Sequence, residues 1–372
     1  MSTKDTFSLC DKLGPAKIIQ IFEPSRNLKG VLVVDNVAAG PSIGGLRMAP
    51  DVNVEECARL ARAMTLKNAA AGLPHGGGKS VLIGDPKTDR KSKEELIRCF
   101  AHALRNETDY IFGPDMGTNE ECMAWIKDEI GRSVGLPSEI GGIPLDVIGA
   151  TGWGLFHAVN MAINFCDFKL DGARVAVQGF GAVGSHAARY LSRNGTILVA
   201  AADSSGTISD PKGLDIQALI NLKKEGKSVI DAPFGNKTKP ADIIDIECEI
   251  WIPAARPDVI HASNVSRLKA KLIPQGANIP FTKEAEEYLH THGTLIIPDF
   301  IANAGGVICA AVEYRGEGQS AAMQTIEDKL KTNTHEVLKT AKEEQILPRD
   351  AAMQLATSRV KKAMNHKRYS IL

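Results

Sequence analysis

The densest chemistry in the sequence is the run Leu73-Pro-His-Gly-Gly-Gly-Lys79, where three glycines lead to a lysine and then to a short apolar stretch. Glycine loses more backbone freedom on folding than any other residue, so three together need a reason. A backbone folding closely around a ligand supplies one, with Lys79 projecting from a partly desolvated turn where an ammonium surrenders its proton more readily. An exposed lysine turn would use the same residue types. Lys67 follows Leu60 and Met64 at helical spacing and so rides the apolar side of its helix, where a lysine seeks an anion. Snorkelling from the edge of that stripe is the plainer reading. Asp115 stands between Gly113-Pro114 and Met116-Gly117, a rigid setting that suits a general acid or base and equally a turn aspartate. Lys67 and Lys79 together make a cationic pair at the start and end of one loop.

A second cluster is Gly179-Phe180-Gly181-Ala182-Val183-Gly184, after the apolar run 174–178 and before the helical segment 185–191. In that context the spacing reads as a dinucleotide fingerprint, although a tight strand-to-helix turn would also use it. Gly179 permits the turn, Gly181 lets the backbone approach a diphosphate, Gly184 lets helix and strand pack, and the helix N-terminus receives the phosphates. Asp203, 19 residues beyond Gly184, can accept hydrogen bonds from the adenine-ribose hydroxyls and repel a 2′-phosphate, which favours NAD. Ser204 and Ser205 would admit NADP if a basic residue reached them, and a solvated strand end is the plain reading of Asp203. Asn303, beside Gly305-Gly306, suits close backbone approach to a ligand. His290 and His292 lack acidic company and read as a solvated helix end, so no metal is assigned.

These residues need a scaffold to place them. At 372 residues the chain exceeds what one core usually serves, and two domains are expected. Lys+Arg and Asp+Glu both number 44, which argues against a nucleic-acid or membrane partner and for a small molecule. Seven scattered cysteines without a Cys-x-x-Cys suggest a reducing compartment. With no basic-then-apolar start and no long apolar run, a cytoplasmic location is expected. The first part mixes strands at 17–22 and 30–35 with helices at 54–71 and 93–106, and Thr118-Asn-Glu-Glu121 has capping-box form. From about Asp171, short β-rich runs at 174–178, 196–202, 248–252, 271–275 and 294–298 alternate with helical stretches, which predicts a parallel doubly wound sheet. The expected fold is therefore α/β: a substrate and oligomerisation domain over 1–147, completed by C-terminal helices 327–372, and a Rossmann domain over 148–326, with the active site in the cleft between them.

Taken in order, the motifs identify a resemblance. They are Gly40-Pro41 with Gly44-Gly45 and Arg47, Met64-Thr-x-Lys67-Asn68-Ala69, Gly76-Gly-Gly-Lys79, Gly113-Pro-Asp115-Met-Gly117, Ala150-Thr151-Gly152, the glycine fingerprint, Pro253-Ala254-Ala255, Gly276-Ala-Asn278 and Asn303-Ala-Gly-Gly306. Over nearly its whole length the chain resembles the glutamate/leucine/phenylalanine/valine dehydrogenases. The resemblance implies that Lys67 pairs with the substrate α-carboxylate, Lys79 is the catalytic lysine and Asp115 shuttles protons at the amino nitrogen. It further implies that Thr151, Ala254 and Asn278 belong to the cofactor site, that Asn303 lies near the substrate, and that the protein is a homo-oligomer. The implied reaction is hydride transfer from Cα to NAD, followed by attack of Lys79-activated water and departure of ammonia.

The same resemblance bears on the side chain. Glutamate-using members carry a lysine where this chain has Ile43 and tend to carry a serine where it has Ala310. A glutamate carboxylate buried without those partners would cost on the order of several kcal/mol, or at least about a hundredfold in affinity. With Gly44, Gly113 and Val307 completing the expected pocket, a neutral apolar side chain of the leucine, valine or phenylalanine type is predicted. The segments Asp203-Ser-Ser-Gly-Thr, Gly-Leu-Asp215 and Gly276-Ala-Asn278 look more like the glutamate branch. A glutamate dehydrogenase with an unconventional carboxylate site is therefore the alternative, and a non-catalytic NAD-binding sensor is a more distant one.

Overall fold

The computed structural model describes residues 5–372, which form two compact units. One runs as far as Pro144 and adds Val307–Ala322 and Met353–Leu372; the other comprises Leu145–Gly306 and Met323–Ala352. The expected boundaries are thus drawn differently. The chain passes into the second unit three residues earlier, and its C-terminal helices are shared between the units instead of completing the first.

The first unit is built on β1 (Lys17–Glu23), β2 (Leu28–Asn36), β3 (Ser42–Ala49), β4 (Gly77–Ile83) and β5 (Tyr110–Pro114), in the order β1-β2-β4-β3-β5. β2 runs antiparallel to both β1 and β4, whereas β3 is parallel to β4 and β5. Helix α1 (Val54–Ala70) makes the crossover from β3 to β4. Successive strand side chains point to opposite faces. Cys57, Ala58 and Ala61 of α1 pack with Val31, Val33 and Val81 on one face. Helices α2 (Arg90–Ala103) and α3 (Glu120–Ile130) cover the other, around Phe100, Phe112, Met123 and Ile126. The start of α3 corrects the capping-box reading: Asn119 is the cap, its side chain accepting from Cys122 N at 3.1 Å. Thr118 instead donates its hydroxyl to Leu46 O at 2.8 Å.

The second unit holds β6 (Arg174–Gln178), β7 (Ile197–Ala202), β8 (Thr207–Ser209), β9 (Asn236–Thr238), β10 (Ile250–Pro253), β11 (Leu272–Pro274) and β12 (Leu295–Ile297) in one sheet. The order β12-β11-β10-β6-β7-β8-β9 reverses beside β6, the switch point at which open α/β sheets bind ligands. β12 to β7 are parallel as expected, but β8 and β9 add an antiparallel edge. Three residues each are too few to show periodicity. The helices of this unit are α4 (Leu145–Ile148), α5 (Ala150–Ala162), α6 (Ala182–Ser192), α7 (Ile216–Lys224), α8 (Lys283–Thr291) and α9 (Asp299–Ala302). The last three, α10 (Gly305–Tyr314), α11 (Gln319–Glu344) and α12 (Pro348–Met364), each run from the residues of one unit into those of the other. Among the described residues no helix is long and apolar enough to cross a membrane.

Candidate active site

Lys79 is not on a turn but is the third residue of β4, the central strand of its sheet, and only 4% of it is exposed. Its ammonium donates to Asp115 Oδ2, immediately beyond β5. Arg47 Nε reaches the other carboxylate oxygen at 3.1 Å, and its Nη1 reaches Glu56 of α1 at 2.6 Å. Burial pushes the Asp115 carboxyl up, but Lys79 and Arg47 together outweigh that and hold it below the usual range. Met116 N also donates to Oδ1 at 2.6 Å, while Asp115 N donates to Thr118 Oγ1 at 3.0 Å. The carboxylate is therefore fixed by three donors and kept in its charged form beside the lysine, while its own backbone N–H is anchored to Thr118.

The glycines around Lys79 serve packing. A Cβ on Gly76 would stand 1.7 Å from Asn36 O, and one on Gly77 would stand 1.9 Å from Thr65 N of α1. A Cβ on Gly44 would lie 1.8 Å from Gly78 O. The sequence suggests a backbone that approaches a ligand; in the structure the run lets β4 approach α1, β2 and β3. Gly45 clears the carboxylate itself, since a Cβ there would meet Asp115 Cβ at 2.8 Å. Gly113 is looser, its nearest neighbour being Val134 Cγ2 at 3.6 Å.

The buried stripe of α1 is Cys57, Ala58, Ala61, Thr65, Asn68 and Ala69. Leu60, Met64 and Lys67 form a half-buried stripe beside it. Asn68, quoted in the sequence only as part of a motif, donates to Gly76 O at 2.7 Å, and its Oδ1 is buried without a partner. Ile43 is 4% exposed and pairs in register with Gly77. Alternation therefore puts Ile43 on the same sheet face as Gly77 and Lys79. Val307 and Ala310 are half-buried on the part of α10 that belongs to this unit.

At the switch point of the second unit each fingerprint glycine has its own task. Gly179 has φ +93°, and a Cβ there would meet Ala254 O at 2.7 Å. Gly184 packs α6 on β6, its Cβ position lying 2.0 Å from Gly179 O. Gly181 caps α6 without a side-chain hydrogen bond and has nothing within 4 Å of its Cβ position. Phe180 is buried, Ala182 exposed and Val183 half-buried. A cavity of about 700 Å³ opens here, lined among others by Gly179, Gly181, Asp203, Ser204, Lys223 and Ala254. Gln178 Oε1, also at its edge, is buried without a partner. An open helix N-terminus, an orphaned acceptor and this volume fit a dinucleotide.

Asp203 differs from a free ribose acceptor. It accepts from Lys223 Nζ and Ser228 Oγ, each at 2.8 Å, and from the backbone N–H groups of Ser205 and Val229, each at 3.0 Å. Burial opposes its ionisation, yet the Lys223 ammonium and these donors lower its pKa to about 2. Lys223 lines the same cavity as Ser204, and sequence reasoning missed this basic residue because it lies 20 residues from Asp203 on α7.

Thr151 sits in the first turn of α5, and the glycine pair after Asn303 packs there: a Cβ on Gly305 would meet Ala150 O at 2.2 Å. Gly305 too serves packing. Asn303, 6% exposed, donates to Asn278 Oδ1 at 2.9 Å, and its own Oδ1 is buried without a partner. Asp299 steadies the group by accepting from Ile279 N at 2.8 Å while bound to Arg349 at 3.0 Å, a support the sequence did not reveal.

Comparison with known proteins then gives one family over residues 21–132 and 141–368. A family model described as Glutamate/Leucine/Phenylalanine/Valine dehydrogenase matches residues 141–368, and one described as Glu/Leu/Phe/Val dehydrogenase, dimerisation domain, matches residues 21–132. A glutamate dehydrogenase of Thermotoga maritima is 37% identical over 350 residues, 89% of this chain and 84% of its own. An NADP-specific glutamate dehydrogenase of Saccharolobus shibatae is 34% identical over 380 residues, 94% of this chain and 89% of its own. Among solved structures, the leucine-bound hetero-hexameric glutamate dehydrogenase from Thermus thermophilus superposes with a TM-score of 0.83 at 28% identity, covering 96% of this chain and 91% of that one.

Proposed function

The chain belongs to the glutamate/leucine/phenylalanine/valine dehydrogenase family, and on that premise we propose that it interconverts L-glutamate and its 2-oxo acid plus ammonia. It is an NAD(P)-dependent amino-acid dehydrogenase acting on the CH–NH2 group of its donor. The observation that carries the chemistry is the contact between buried Lys79 and half-buried Asp115, a proton donor and an acceptor. Lys67 holds the substrate α-carboxylate, Lys79 activates water, and Asp115 carries protons to and from the substrate nitrogen. A dinucleotide would be held at Gly179, Gly181 and the N-terminus of α6, and when bound would supply the hydride acceptor. The curated relatives, named as glutamate dehydrogenases, favour glutamate over the neutral substrates expected from the pocket.

A second reading has a specific observation behind it. Ile43 is a buried hydrocarbon on the Lys79 face, and position 310 offers only a methyl group. Specificity resides in such contacts more than in the fold, and these two favour leucine, valine or phenylalanine. Assembly into a homo-oligomer is supported by the dimerisation-domain match over residues 21–132. The test is reduction of NAD and NADP with glutamate, leucine, valine and phenylalanine in turn, with Lys79→Ala as control. Higher kcat/KM for glutamate establishes the first reading, higher kcat/KM for a neutral amino acid replaces it with the second, and activity within tenfold of the parent in Lys79→Ala would remove Lys79 from the chemistry of either.

A further inference from the structure

Glu313 lies on α10 one turn beyond Ala310 and is 7% exposed. Its Oε1 accepts from Gly135 N at 2.7 Å and Leu136 N at 3.1 Å, and its Oε2 accepts from Ile143 N at 2.8 Å. Among the described residues no cation is paired with it, and burial pushes its carboxyl up despite the three donors. Burying an anion against neutral N–H groups alone is costly. A carboxylate is nonetheless the side chain best able to receive three donors at once.

Those donors belong to the loop that follows α3, and the loop has a second attachment. Val134 N donates to Phe112 O at 2.8 Å, and Phe112 N to Arg132 O at 3.2 Å, so the loop enters alongside β5. Gly135, at φ +72°, lies so near Pro114 that a Cβ would stand 2.5 Å from its Cδ. Pro114 directly precedes Asp115. A continuous path of contacts and bonds therefore leads from α10 through Glu313, Gly135 and Pro114 to the carboxylate that meets Lys79.

We propose that Glu313 is a positioning residue of the active site: by clamping the 135–143 loop to α10 it holds Pro114, and through it the Asp115 carboxylate, in place against Lys79. The same clamp fixes Asp115 in register with the helix that presents Val307 and Ala310. The inference rests on the dehydrogenase reading for its kinetic consequence, but not for its structural one.

The test compares Glu313→Gln, Glu313→Ala and Glu313→Asp with the parent enzyme. The readouts are kcat and KM for the amino acid best used, the pH profile of kcat, NADH and NADPH affinity by fluorescence, and backbone hydrogen exchange. Misplacing a catalytic group by about 1 Å can cost on the order of a hundredfold, so Glu313→Gln should lower kcat at least about tenfold and shift the acid limb of its pH profile. Reduced-cofactor affinity should stay within about twofold, since the dinucleotide corner lies in the other unit. Glu313→Asp should recover part of the kcat lost in Glu313→Ala, and exchange should rise at both 114–117 and 133–143. Unchanged kcat and pH profile, exchange confined to 133–143, or loss of cofactor binding in step with activity would each overturn the proposal. An inactive parent enzyme defeats the proposed reaction instead, and the exchange measurement then decides the clamp without turnover.

Discussion

Glycines crowd both candidate sites, and their surroundings separate them. Beside Lys79, missing Cβ atoms at Gly44, Gly76 and Gly77 would lie 1.7 to 1.9 Å from backbone atoms of neighbouring elements. At the head of α6, the missing Cβ of Gly181 would meet nothing within 4 Å. The first set brings strand, strand and helix close enough for a lysine, an aspartate and an arginine to be held by one another. The second leaves room for a ligand that the backbone itself receives. A glycine-rich motif is thus no sign of ligand approach until the space around its absent side chains is known.

The largest expected effect tests this contrast directly. Gly77→Ala would drive a methyl into Thr65 N, a collision with helix backbone that cannot be relieved by a rotamer change. A cost of about 4 kcal/mol or more is expected, seen as loss of soluble folded protein or a steep fall in Tm. Gly181→Ala should instead fold normally, with dinucleotide affinity reduced about tenfold through obstruction of the phosphate approach. Equal effects of the two substitutions on Tm would break the comparison.

Lys79→Ala comes next and separates chemistry from packing. Losing the partner of Asp115 should lower kcat/KM by about a thousandfold or more, while the NADH dissociation constant is unchanged. Activity within tenfold of the parent would mean that the lysine is only a counter-ion. The pH dependence has a fixed sign. Because Asp115 titrates below the ordinary aspartate value of 3.8 in the folded state, its stabilising contribution is present above that value. It is lost as pH falls through the lower folded value. Thermal unfolding followed from pH 6 down to pH 3 should show the parent losing more stability than Asp115→Asn at the acid end.

How far the sequence foretold these regions follows from how local their determinants are. The strands about the fingerprint were legible because apolar runs and glycine spacing lie within about twenty residues. Lys79 and Asp115 stand 36 residues apart, and only resemblance brought them together; their contact depends on the register of β3, β4 and β5. Arg47 was visible as a letter in a motif, but its place between Asp115 and Glu56 was not. Glu313 and Lys223 were missed because the partners that define them are distant backbone amides and an aspartate on another element. The cap at Asn119 shows the limit on a finer scale: Thr118 and Asn119 are both competent caps, and tertiary demand for the Thr118 hydroxyl decides between them.

Substrate choice is the next smaller effect and sharpens the comparison within the first unit. The double variant Ile43→Lys/Ala310→Ser restores the polar contacts associated with glutamate-using members. If the parent enzyme prefers neutral substrates, the ratio of kcat/KM for glutamate over leucine should rise at least about a hundredfold. If the parent already uses glutamate through another cation, the ratio should change little, and the variant should be no better than the parent.

The smallest expected effect is at Lys223, and its direction follows from charge. Lys223 neutralises Asp203 at the rim of the dinucleotide cavity, so a 2′-phosphate approaching Ser204 meets an ion pair and not a bare carboxylate. Lys223→Ala leaves that carboxylate uncompensated. KM for NADP should then rise about tenfold, and KM for NAD by less than about threefold, because a ribose hydroxyl is indifferent to the added charge where a phosphate is repelled. The same change has an acid signature. Asp203 is depressed from 3.8 to about 2, so its contribution to stability is present above pH 3.8 and disappears as pH falls toward 2. Without Lys223 the depression shrinks, and acid unfolding should begin at higher pH than in the parent. An unchanged NADP to NAD ratio together with an unchanged acid midpoint would show that Ser228, Ser205 and Val229 hold Asp203 unaided, and that cofactor choice is made elsewhere on the rim.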